Sequence, residues 1–287
     1  MDIEIREFIT YLHNRKRTSH NTEVSYQRDL KKMAAYFEER GIYDIRDVGE
    51  LELEGYLSYM ERGQFASSTI SRNVASIRAL FQYLQQEGRI ERDPSLELKP
   101  PKVEKRMPEI LSVDEVDRLL RQPDLNTPKG IRDSAMLELL YATGMRVSEL
   151  LHIKAEHVQI GHLDLYSKGG KIRRLYIPKN LRTEAAKWLK EIGLTSGYIF
   201  LNRFGQRITT RGIASQLKHF AEKYGMNKEV VYPHSFRHRF AKNFLDRFND
   251  LALLADLMGH ESIETTRIYL RRTASEQQKI VDKVVNW

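Results

Sequence analysis

Apolar residues recur at helical spacing through the first third of the chain. After Ser19, apolar side chains three or four residues apart share one helix face, and this pattern stops at Gly41. A longer stretch of the same kind follows Ser67 and Ser68, either of which would cap it. The pattern predicts four helices, over residues 3–13, 20–40, 50–61 and 69–87. Residues 1–98 are therefore expected to form a four-helix bundle.

Prolines and cations interrupt the helical pattern after the bundle. Residues 99–108 read KPPKVEKRMP, and their three prolines exclude a helix. Because such a segment is stiff and extended, we expect a linker between a first domain, 1–98, and a second domain, 109–287. The linker could let the two domains close around a partner as a clamp, or it could be a simple spacer.

Beyond the linker the pattern combines helices with one short β-hairpin. Ser112 and Glu115 form a capping box for a helix that ends near Arg121. Alternating residues over 162–166 and 171–177 flank the turn SKGG and predict two antiparallel strands. Further helices are predicted over residues 131–142, 181–192, 210–224 and 251–258 and from His234 onward, with a short strand over 198–201. The predicted fold class is mainly α with a small β-hairpin.

The distribution of charge indicates a polyanionic partner. The net charge is +8, but residues 1–98 carry 14 Lys and Arg against 17 Asp and Glu, whereas the remaining residues carry 33 against 22. The chain has no cysteine, which excludes disulfides, thiolate zinc sites and cysteine nucleophiles. Because no apolar run approaches the ~18 residues of a membrane span, we expect a soluble intracellular protein.

Cations and hydroxyl groups gather at two helix openings of the first domain and in the linker. Helix N-termini that carry hydroxyls and arginines are good phosphate contacts. Ordinary helix capping and a solvated basic surface explain the same residues, and the pattern alone favours capping. The candidate DNA contacts are Arg15, Lys16, Arg17, Ser68, Arg72, Lys99, Lys102, Lys105 and Arg106.

An arginine stands between apolar neighbours just after the helix predicted over 131–142. Arg146, in the stretch TGMRVSEL, is expected to be partly enclosed, and an enclosed guanidinium needs a carboxylate or phosphate partner. Glu149 could orient it, either beside a substrate or in a purely structural ion pair. Lys168 lies on the hairpin turn, where a lysine projects outward, although most turn lysines only aid solubility.

The stretch from residue 234 to residue 269 holds two histidines, an arginine and a tyrosine at a distinctive spacing. His234 and Arg237 open a helix. His260 follows the glycine that ends the next helix, and Tyr269 comes nine residues after that histidine. A lone His-x-x-Arg is a weak signal, but the joint pattern is rare by chance. Cations, histidines and a phenol are the set expected where a tyrosine attacks a phosphodiester.

These stretches resemble the tyrosine recombinases, the family of Xer recombinases and phage or transposon integrases. The likeness covers essentially the whole chain, and the N-terminal bundle is similar to the SAM-like core-binding domain of that family. The motifs that carry the likeness are LLYATGMRVSELLHI, SKGGKIRRLYIP, PHSFRHRFA and LMGHESIETTRIY. The resemblance implies an α-rich catalytic domain and a Xer-like site-specific DNA recombinase.

The resemblance also implies which residues bind the scissile phosphate. It assigns Arg146 and Arg237 to that phosphate and makes Glu149 the support of Arg146. The assignment fits physically, because forked guanidinium donors match the charge that spreads over the non-bridging oxygens in the transition state. With arginines in this position the reaction is expected to need no metal ion.

The remaining implied roles concern proton transfer and the nucleophile. Tyr269 becomes the nucleophile, and Lys168 the acid that protonates the leaving 5′-oxygen. His234 and His260 become hydrogen-bonding and proton-transfer groups. The resemblance implies a 3′-phosphotyrosine intermediate that conserves the energy of the phosphodiester, so no cofactor and no ATP are expected.

Assembly on DNA is a further implication of the resemblance. A homotetramer, or dimer of dimers, is expected on two duplex recombination sites, in the cytoplasm of a bacterial or archaeal cell and close to its nucleoid, with no role for a membrane. Thr273 and Glu276 form a capping box for a last helix over 273–287 that has an apolar face. In the family such tails dock on the neighbouring subunit, but the tail could equally fold back on its own domain.

Three alternatives stay open at the level of sequence. Tyr269 is followed by LRRT rather than the Thr-His that is common in Xer proteins, which favours an integrase, excisionase or resolvase of a mobile element with the same chemistry. His234, His238 and His260 could instead hold a metal ion. A DNA-binding protein without catalytic activity is the third alternative, and it leaves the complete residue set unexplained.

Overall fold

The chain folds as two compact units. The computed structural model describes residues 1–16, 18–102, 109–166, 172–260, 262–270 and 281–282. Contacts divide the chain into Met1–Lys105 and Arg106–Trp287. No helix in the described ranges has the length and apolarity needed to cross a membrane. The predictions that lie outside the described residues concern Arg17, Lys105, Arg106, Lys168 and all but two residues of the segment 273–287.

The first unit packs its helices around one apolar core. Leu30 and Met33 on its second helix and Ile77 and Phe81 on its fourth are buried, as the spacing predicts. The helices are α1 (Asp2–Tyr11), α2 (His20–Glu38), α3 (Glu50–Arg62) and α4 (Ser67–Gln86), with a π-helical turn over Leu12–Lys16 and a 3-10 turn over Ile45–Asp47.

The start of α4 differs from its prediction. Its N-cap is Ala66, whose carbonyl accepts hydrogen bonds from the backbone N–H groups of Thr69 and Ile70 at 2.8 and 3.1 Å. Ser67 and Ser68 therefore lie in the first turn, and neither caps the helix. The prediction was wrong because alanine carries no capping side chain that a sequence pattern could reveal.

The second unit is mostly helical and contains the two strands. Its elements are α5 (Val113–Leu120), α6 (Pro128–Thr143), α7 (Val147–Leu150), α8 (Ala155–Ile160), β1 (His162–Tyr166), β2 (Ile172–Tyr176), α9 (Lys179–Glu191), α10 (Thr210–Lys223), α11 (Pro233–Arg247), α12 (Leu251–Met258) and α13 (Ile263–Arg267), with a 3-10 turn over Ile268–Leu270. α7, α8 and α13 are too short for periodicity to predict.

The β-hairpin brings one face of β2 toward the interior of the unit. β1 and β2 are antiparallel, with His162 opposite Tyr176 and Tyr166 opposite Ile172. Because side chains alternate along a strand, Arg173 points inward with the buried Leu175, whereas the arginine between them points to solvent. The hairpin predicted from the sequence is thus present, and its turn, residues 167–171, lies outside the described residues.

The short strand predicted over 198–201 is wrong. Tyr198 and Leu201 each make one isolated antiparallel bridge, to Lys154 and to Arg207. The two bridges run to different segments of the chain, so no continuous ladder forms. The side chain of Asn202 accepts hydrogen bonds from the N–H groups of Phe204 and Gln206, in the turn that brings Arg207 opposite Leu201.

The predicted fold class is confirmed. The described residues are mostly helical, with one two-stranded antiparallel sheet. The second unit has two apolar clusters of interest: a large core, and a small cluster formed by Ala241, Leu245, Leu254, Met258 and Tyr269. The small cluster lies beside the residues that the sequence singled out.

Candidate active site

Two helix ends supply the carbonyl oxygens around which the site is built. α6 ends at Gly144 with φ +60°, and α12 ends at Gly259 with φ +63°, the left-handed conformation that favours glycine. A Cβ atom at Gly144 would lie 2.3 Å from Phe240, and one at Gly259 would lie 2.4 Å from Arg173. Both glycines thus allow a close approach as well as the turn. The C-terminal carbonyls of both helices carry partial negative charge and attract cations.

Arg237 joins these two helix ends from α11. Its side chain is buried, with 3% of the residue exposed, and its Nη1 donates to the carbonyl of Gly144 at 2.7 Å. Its Nη2 donates to the carbonyl of Met258 at 2.6 Å and to Nε2 of His260 at 3.1 Å. Burial, together with the charge of Arg146, lowers the pKa of Arg237 to about 10, so the group remains a cation at neutral pH.

Arg146 lies just past the end of α6, at the N-cap of α7. Its Nη1 donates to Oε1 of Glu149 at 2.8 Å, and its Nη2 donates to the carbonyl of Gly259 at 3.0 Å. The other carboxylate oxygen of Glu149 accepts from the backbone N–H of Arg146 at 2.7 Å. The side chain of Arg146 is 37% exposed, so part of its guanidinium can reach a ligand.

A third arginine, which the sequence did not single out, completes the cluster. Arg173 on β2 donates from Nη1 to Oε1 of Glu149 at 3.1 Å and from Nη2 to Oε2 at 3.0 Å. Its Nη1 also donates to the carbonyl of Met258 at 2.8 Å. The alternation of side chains along the strand, which places Arg173 on the same face as Leu175, was the signal available in the sequence. Neighbouring basic residues on a hairpin are more readily interpreted as solvent-exposed, so the signal is weak.

The cluster carries more positive than negative charge. Within the described part of the chain, Glu149 is the one carboxylate that forms ion pairs with Arg146 and Arg173, and Arg237 binds carbonyls and a histidine. Burial would raise the pKa of Glu149, but the charge of Arg173 and the hydrogen bonds from Arg146 outweigh it and lower that pKa. Three cations around one ionised carboxylate leave an excess that an anion such as a phosphate can neutralise.

The histidines of the site are neutral at neutral pH. Burial and the charge of Arg237 lower the pKa of His260 to about 4. Because Arg237 can only donate, Nε2 of His260 accepts, and its Nδ1–H donates to Oγ1 of Thr266 at 2.7 Å. His234, on the first turn of α11, stays partly accessible to solvent, and partial desolvation together with the charges of Arg237 and Arg146 lowers its pKa as well.

Tyr269 is packed in the small apolar cluster and bonded to a histidine. Only 4% of the residue is exposed, and its Oη lies 2.7 Å from Nδ1 of His238. Burial raises the pKa of Tyr269 to about 12, although the charge of Arg237 acts in the opposite direction. Burial, His234 and Arg237 lower the pKa of His238 to about 4. The pair is therefore a neutral phenol beside a neutral imidazole that can accept its proton.

The structure thus brings together most of the residues predicted for chemistry. Arg146, Glu149, Arg237 and His260 form one hydrogen-bonded cluster. His234 lies one helical turn from His238, and the centroids of the two imidazole rings are 6.5 Å apart. His238 is the hydrogen-bond partner of Tyr269, whereas the sequence suggested it only as a metal ligand. A tyrosine partner cannot be read from spacing alone, because the chain turns twice between residues 238 and 269.

The candidate DNA contacts of the first unit lie mostly at its surface. Arg15, Lys16, Ser68, Lys99 and Lys102 are exposed. Arg72 differs from them, because its Nε and Nη2 donate to the buried carboxylate of Asp29 at 2.6 and 2.8 Å. The fork of Arg72 is thus already occupied.

The three-histidine metal alternative finds no support. No group of three or more His, Cys, Asp or Glu among the described residues could hold a metal ion. His238 and His260 direct their ring nitrogens at Tyr269, Thr266 and Arg237 instead.

Comparisons with known proteins match both units of the chain to one family. The profile of the "Phage integrase family" matches residues 109–276, and that of "Phage integrase, N-terminal SAM-like domain" matches residues 5–88. The tyrosine recombinase XerD of Listeria monocytogenes is 33% identical over 279 residues, which is 94% of each chain. XerD of Staphylococcus aureus is 34% identical over 294 residues, covering 99% of this chain and 98% of the relative.

Solved structures with the same fold include recombinases bound to DNA. The Tn1549 transposon integrase in complex with transposon right end DNA has a TM-score of 0.74 at 16% identity, covering 98% of this chain and 99% of that one. XerH bound to its difH substrate has a TM-score of 0.73 at 19% identity, covering 98% and 84%. These likenesses establish the fold, and the matches in sequence establish the family. The chain belongs to the phage integrase family of tyrosine recombinases and is a Xer-like site-specific DNA recombinase.

Proposed function

We propose that this recombinase cleaves one DNA strand by attack of Tyr269 on a phosphodiester that Arg146 and Arg237 hold. The observation that carries the proposal is the cluster of three guanidinium groups with one carboxylate, beside a buried tyrosine whose Oη lies 2.7 Å from a neutral histidine. The excess positive charge suits a phosphate with charge on two non-bridging oxygens. DNA with a recombination site is the substrate.

The reaction exchanges one phosphodiester for another. The Oη of Tyr269 attacks phosphorus and forms the 3′-phosphotyrosine bond, while the bond from phosphorus to the 5′-oxygen breaks. The phenol proton passes to Nδ1 of His238, which is unprotonated at neutral pH because its pKa is about 4. By family resemblance Lys168 gives its proton to the leaving 5′-oxygen. A 5′-hydroxyl of the exchanged strand reverses these steps and releases Tyr269.

His234 and His260 are proposed to bind the non-bridging oxygens. In the unbound chain Nε2 of His260 accepts from Arg237, so it cannot donate to an anion in that tautomer. A phosphate that takes the Arg237 donor would free this nitrogen. The ring proton would then move from Nδ1 to Nε2, so that Nε2 donates to a non-bridging oxygen while Nδ1 accepts from the hydroxyl of Thr266. The same competition would apply to the carbonyl oxygens that now occupy Arg146 and Arg237.

The decisive test is trapping of the covalent intermediate. Duplexes are selected by protein binding from a randomised pool and then nicked at successive positions, so that a short 5′-hydroxyl fragment diffuses away after cleavage. In EDTA, a denaturing gel should show a protein–DNA band for the wild-type chain. Tyr269→Phe should abolish the band, because the ring then lacks the attacking oxygen. A band that persists in Tyr269→Phe would exclude this nucleophile, and a requirement for added metal would exclude the arginine-based mechanism.

We also propose that the active assembly is a tetramer on two DNA sites, in the cytoplasm at the nucleoid of a bacterial or archaeal cell. The bacterial XerD relatives support the cellular location, and the solved structure of a λ integrase dimer on a core site supports assembly on DNA. The tail over 273–287 would dock on a neighbouring subunit, and Val281 in that tail is exposed. Removal of residues 273–287 should lower the mass of the DNA complex measured by light scattering. An unchanged mass would indicate a tail that folds on its own domain.

The mobile-element alternative concerns the DNA target rather than the chemistry. The 33–34% identity to XerD proteins favours a Xer-like role, whereas the LRRT sequence after Tyr269 favours an element integrase. Matching the selected duplexes to chromosomal sites or to the ends of an element distinguishes the two.

A further inference from the structure

We propose that Arg173 is a positioning residue for the cleavage reaction: it fixes Glu149, and through Glu149 it holds Arg146 in the orientation that binds the scissile phosphate. The proposal rests on the function proposed above. Arg173 would not itself contact DNA phosphate, and it differs in this from Arg146 and Arg237. Its role would be to join three parts of the chain that must act together.

The contacts of Arg173 define these three parts. It binds both carboxylate oxygens of Glu149 on α7, at 3.1 and 3.0 Å. It also binds the carbonyl of Met258 at 2.8 Å, at the end of α12 immediately before Gly259 and His260. Arg173 itself lies on β2, the strand that leaves the turn carrying Lys168. One guanidinium thus connects the hairpin, the support of Arg146 and the helix end next to His260.

The same carboxylate is shared by two arginines, and this sharing fixes its orientation. Oε1 of Glu149 accepts from both Arg146 and Arg173, while Oε2 accepts from Arg173 and from the backbone N–H of Arg146. Without Arg173, the carboxylate would lose the two side-chain donors that approach from the strand. A bidentate pair fixes the plane of the carboxylate relative to the plane of the guanidinium. Loss of Arg173 would therefore allow the Glu149 carboxylate and the Arg146 guanidinium to rotate together.

Arg173 occupies this position at a cost. Its side chain is only 12% exposed, and its buried Nε has no hydrogen-bond partner among the described residues. A buried donor without a partner destabilises the folded chain, so such groups call for an explanation. Gly259 is a second indication that the position of Arg173 matters, because a Cβ atom there would lie 2.4 Å from Nη1 of Arg173. The chain thus leaves room for this arginine and tolerates an unsatisfied donor.

The next residue provides a matched comparison. Arg174 points to solvent on the other face of β2 and forms its own bidentate pair with Asp164, at 2.8 and 2.9 Å. Both arginines share the strand, the residue type and a bidentate carboxylate. Only Arg173 reaches the groups around Arg146. A difference in cleavage rate between variants at these two positions therefore reflects the contacts with the active site rather than the stability of the strand.

The proposal also predicts a shift in pH dependence. Glu149 must be ionised to orient Arg146, and the charged or titratable groups around it are Arg146, Arg173, Arg237 and His234. The charge of Arg173, with the hydrogen bonds and the charge of Arg146, lowers the pKa of Glu149 against the effect of burial. Removal of Arg173 should raise this pKa. As the solution is acidified, the cleavage rate of the variant should then begin to fall at a higher pH than that of the wild-type chain. The loss of a merely structural contact would not move this acid limb of the pH–rate profile.

The experiment measures single-turnover cleavage of the suicide duplex at saturating protein, from acid to neutral pH. Arg173→Ala should lower the rate at neutral pH by roughly 10- to 100-fold, as expected when a catalytic group is slightly misplaced. DNA affinity, measured by fluorescence anisotropy, should stay within about threefold because binding spreads over many contacts. Arg173→Lys should restore the acid limb through its charge but only part of the rate. Arg174→Ala should cleave like the wild-type chain.

A double-variant cycle separates positioning from direct action. If Arg173 acts through Glu149, adding Arg173→Ala to Glu149→Gln should cause little further loss of rate. Independent, multiplying losses would overturn the proposal, as would an Arg173→Ala chain that cleaves at the wild-type rate with an unchanged acid limb. If Arg173→Ala does not fold, as judged by its melting curve, Arg173→Gln and Arg173→Lys carry the same comparison. Absence of the covalent band in the wild-type chain would instead refute the proposed function.

Discussion

Tyr269 and His238 form the pair from which the reaction would start, and each shapes the chemistry of the other. Burial raises the pKa of the phenol to about 12, which opposes ionisation at neutral pH. The neighbouring imidazole, with a pKa of about 4, is a weak base but always unprotonated at neutral pH. Proton transfer would therefore occur during attack on phosphorus rather than before it.

His238→Ala should lower cleavage by roughly 100- to 1000-fold, because an acceptor for the phenol proton is lost. The informative substrate has sulfur in place of the bridging 5′-oxygen, since a thiolate leaves without an acid. On this substrate Lys168→Ala should regain most of its activity, whereas His238→Ala should remain slow. Rates come from quenched single-turnover reactions. Recovery of His238→Ala on the sulfur substrate would show that this histidine acts on the leaving group.

At the scale of elements, the site depends on two helices that end in glycine. The carbonyls at the ends of α6 and α12 accept hydrogen bonds from Arg146, Arg173 and Arg237. A helix C-terminus attracts cations but cannot neutralise them, because it carries only about half a unit charge. The helices can thus gather three arginines and still leave their charge available to a phosphate.

Gly259→Ala should disrupt this arrangement, and Gly193→Ala provides the control. Both glycines have positive φ, so alanine costs roughly 1 kcal/mol of folding stability at either position. A Cβ at Gly193 meets nothing within 4 Å, whereas at Gly259 it would lie 2.4 Å from Nη1 of Arg173. Single-turnover cleavage should therefore fall about tenfold or more in Gly259→Ala only. Equal cleavage by the two variants would contradict a role for this close approach.

At the scale of the whole molecule, the neutral histidines couple the site to folding stability. His238 and His260 have pKa values of about 4, compared with an ordinary value of 6.5. A histidine whose pKa is lowered on folding stabilises the folded state above the unfolded value, and that stability is lost as pH falls from about 6.5 toward 4. The site is thus expected to be an acid-sensitive part of the fold.

His238→Gln should make the chain less sensitive to acid than the wild type. The free energy of unfolding, measured with urea between pH 7 and pH 4.5, should fall less steeply in the variant, by on the order of 2 kcal/mol over this range. Carboxylates that also titrate there are common to both chains, so the difference isolates His238. Parallel stability curves would show that His238 has a similar pKa in the folded and unfolded chains.

The sequence predicted the elements with long repeats and the residues with rare spacing. Helices such as α2 and α4 were predictable because each buries a full apolar face, and Tyr269 because it belongs to a joint motif. Arg173 and His238 could not be assigned from the sequence the roles that we propose for them. Their partners lie 24 and 31 residues away in the chain, and only the folded hairpin and helix ends bring them within 3.1 Å.

The location of Tyr269 within a small apolar cluster makes the proposed nucleophile also a structural residue. Ala241, Leu245, Leu254 and Met258 surround it, so an oxygen that would have to reach DNA belongs to a ring that holds three helical segments together. Moving this ring toward a phosphate would sacrifice packing, and DNA binding would have to compensate. The free recombinase would thus keep the proposed nucleophile away from DNA strands that carry no recombination site. Mutations that strengthen this cluster would raise thermal stability and slow recombination, so the two properties would trade against each other here.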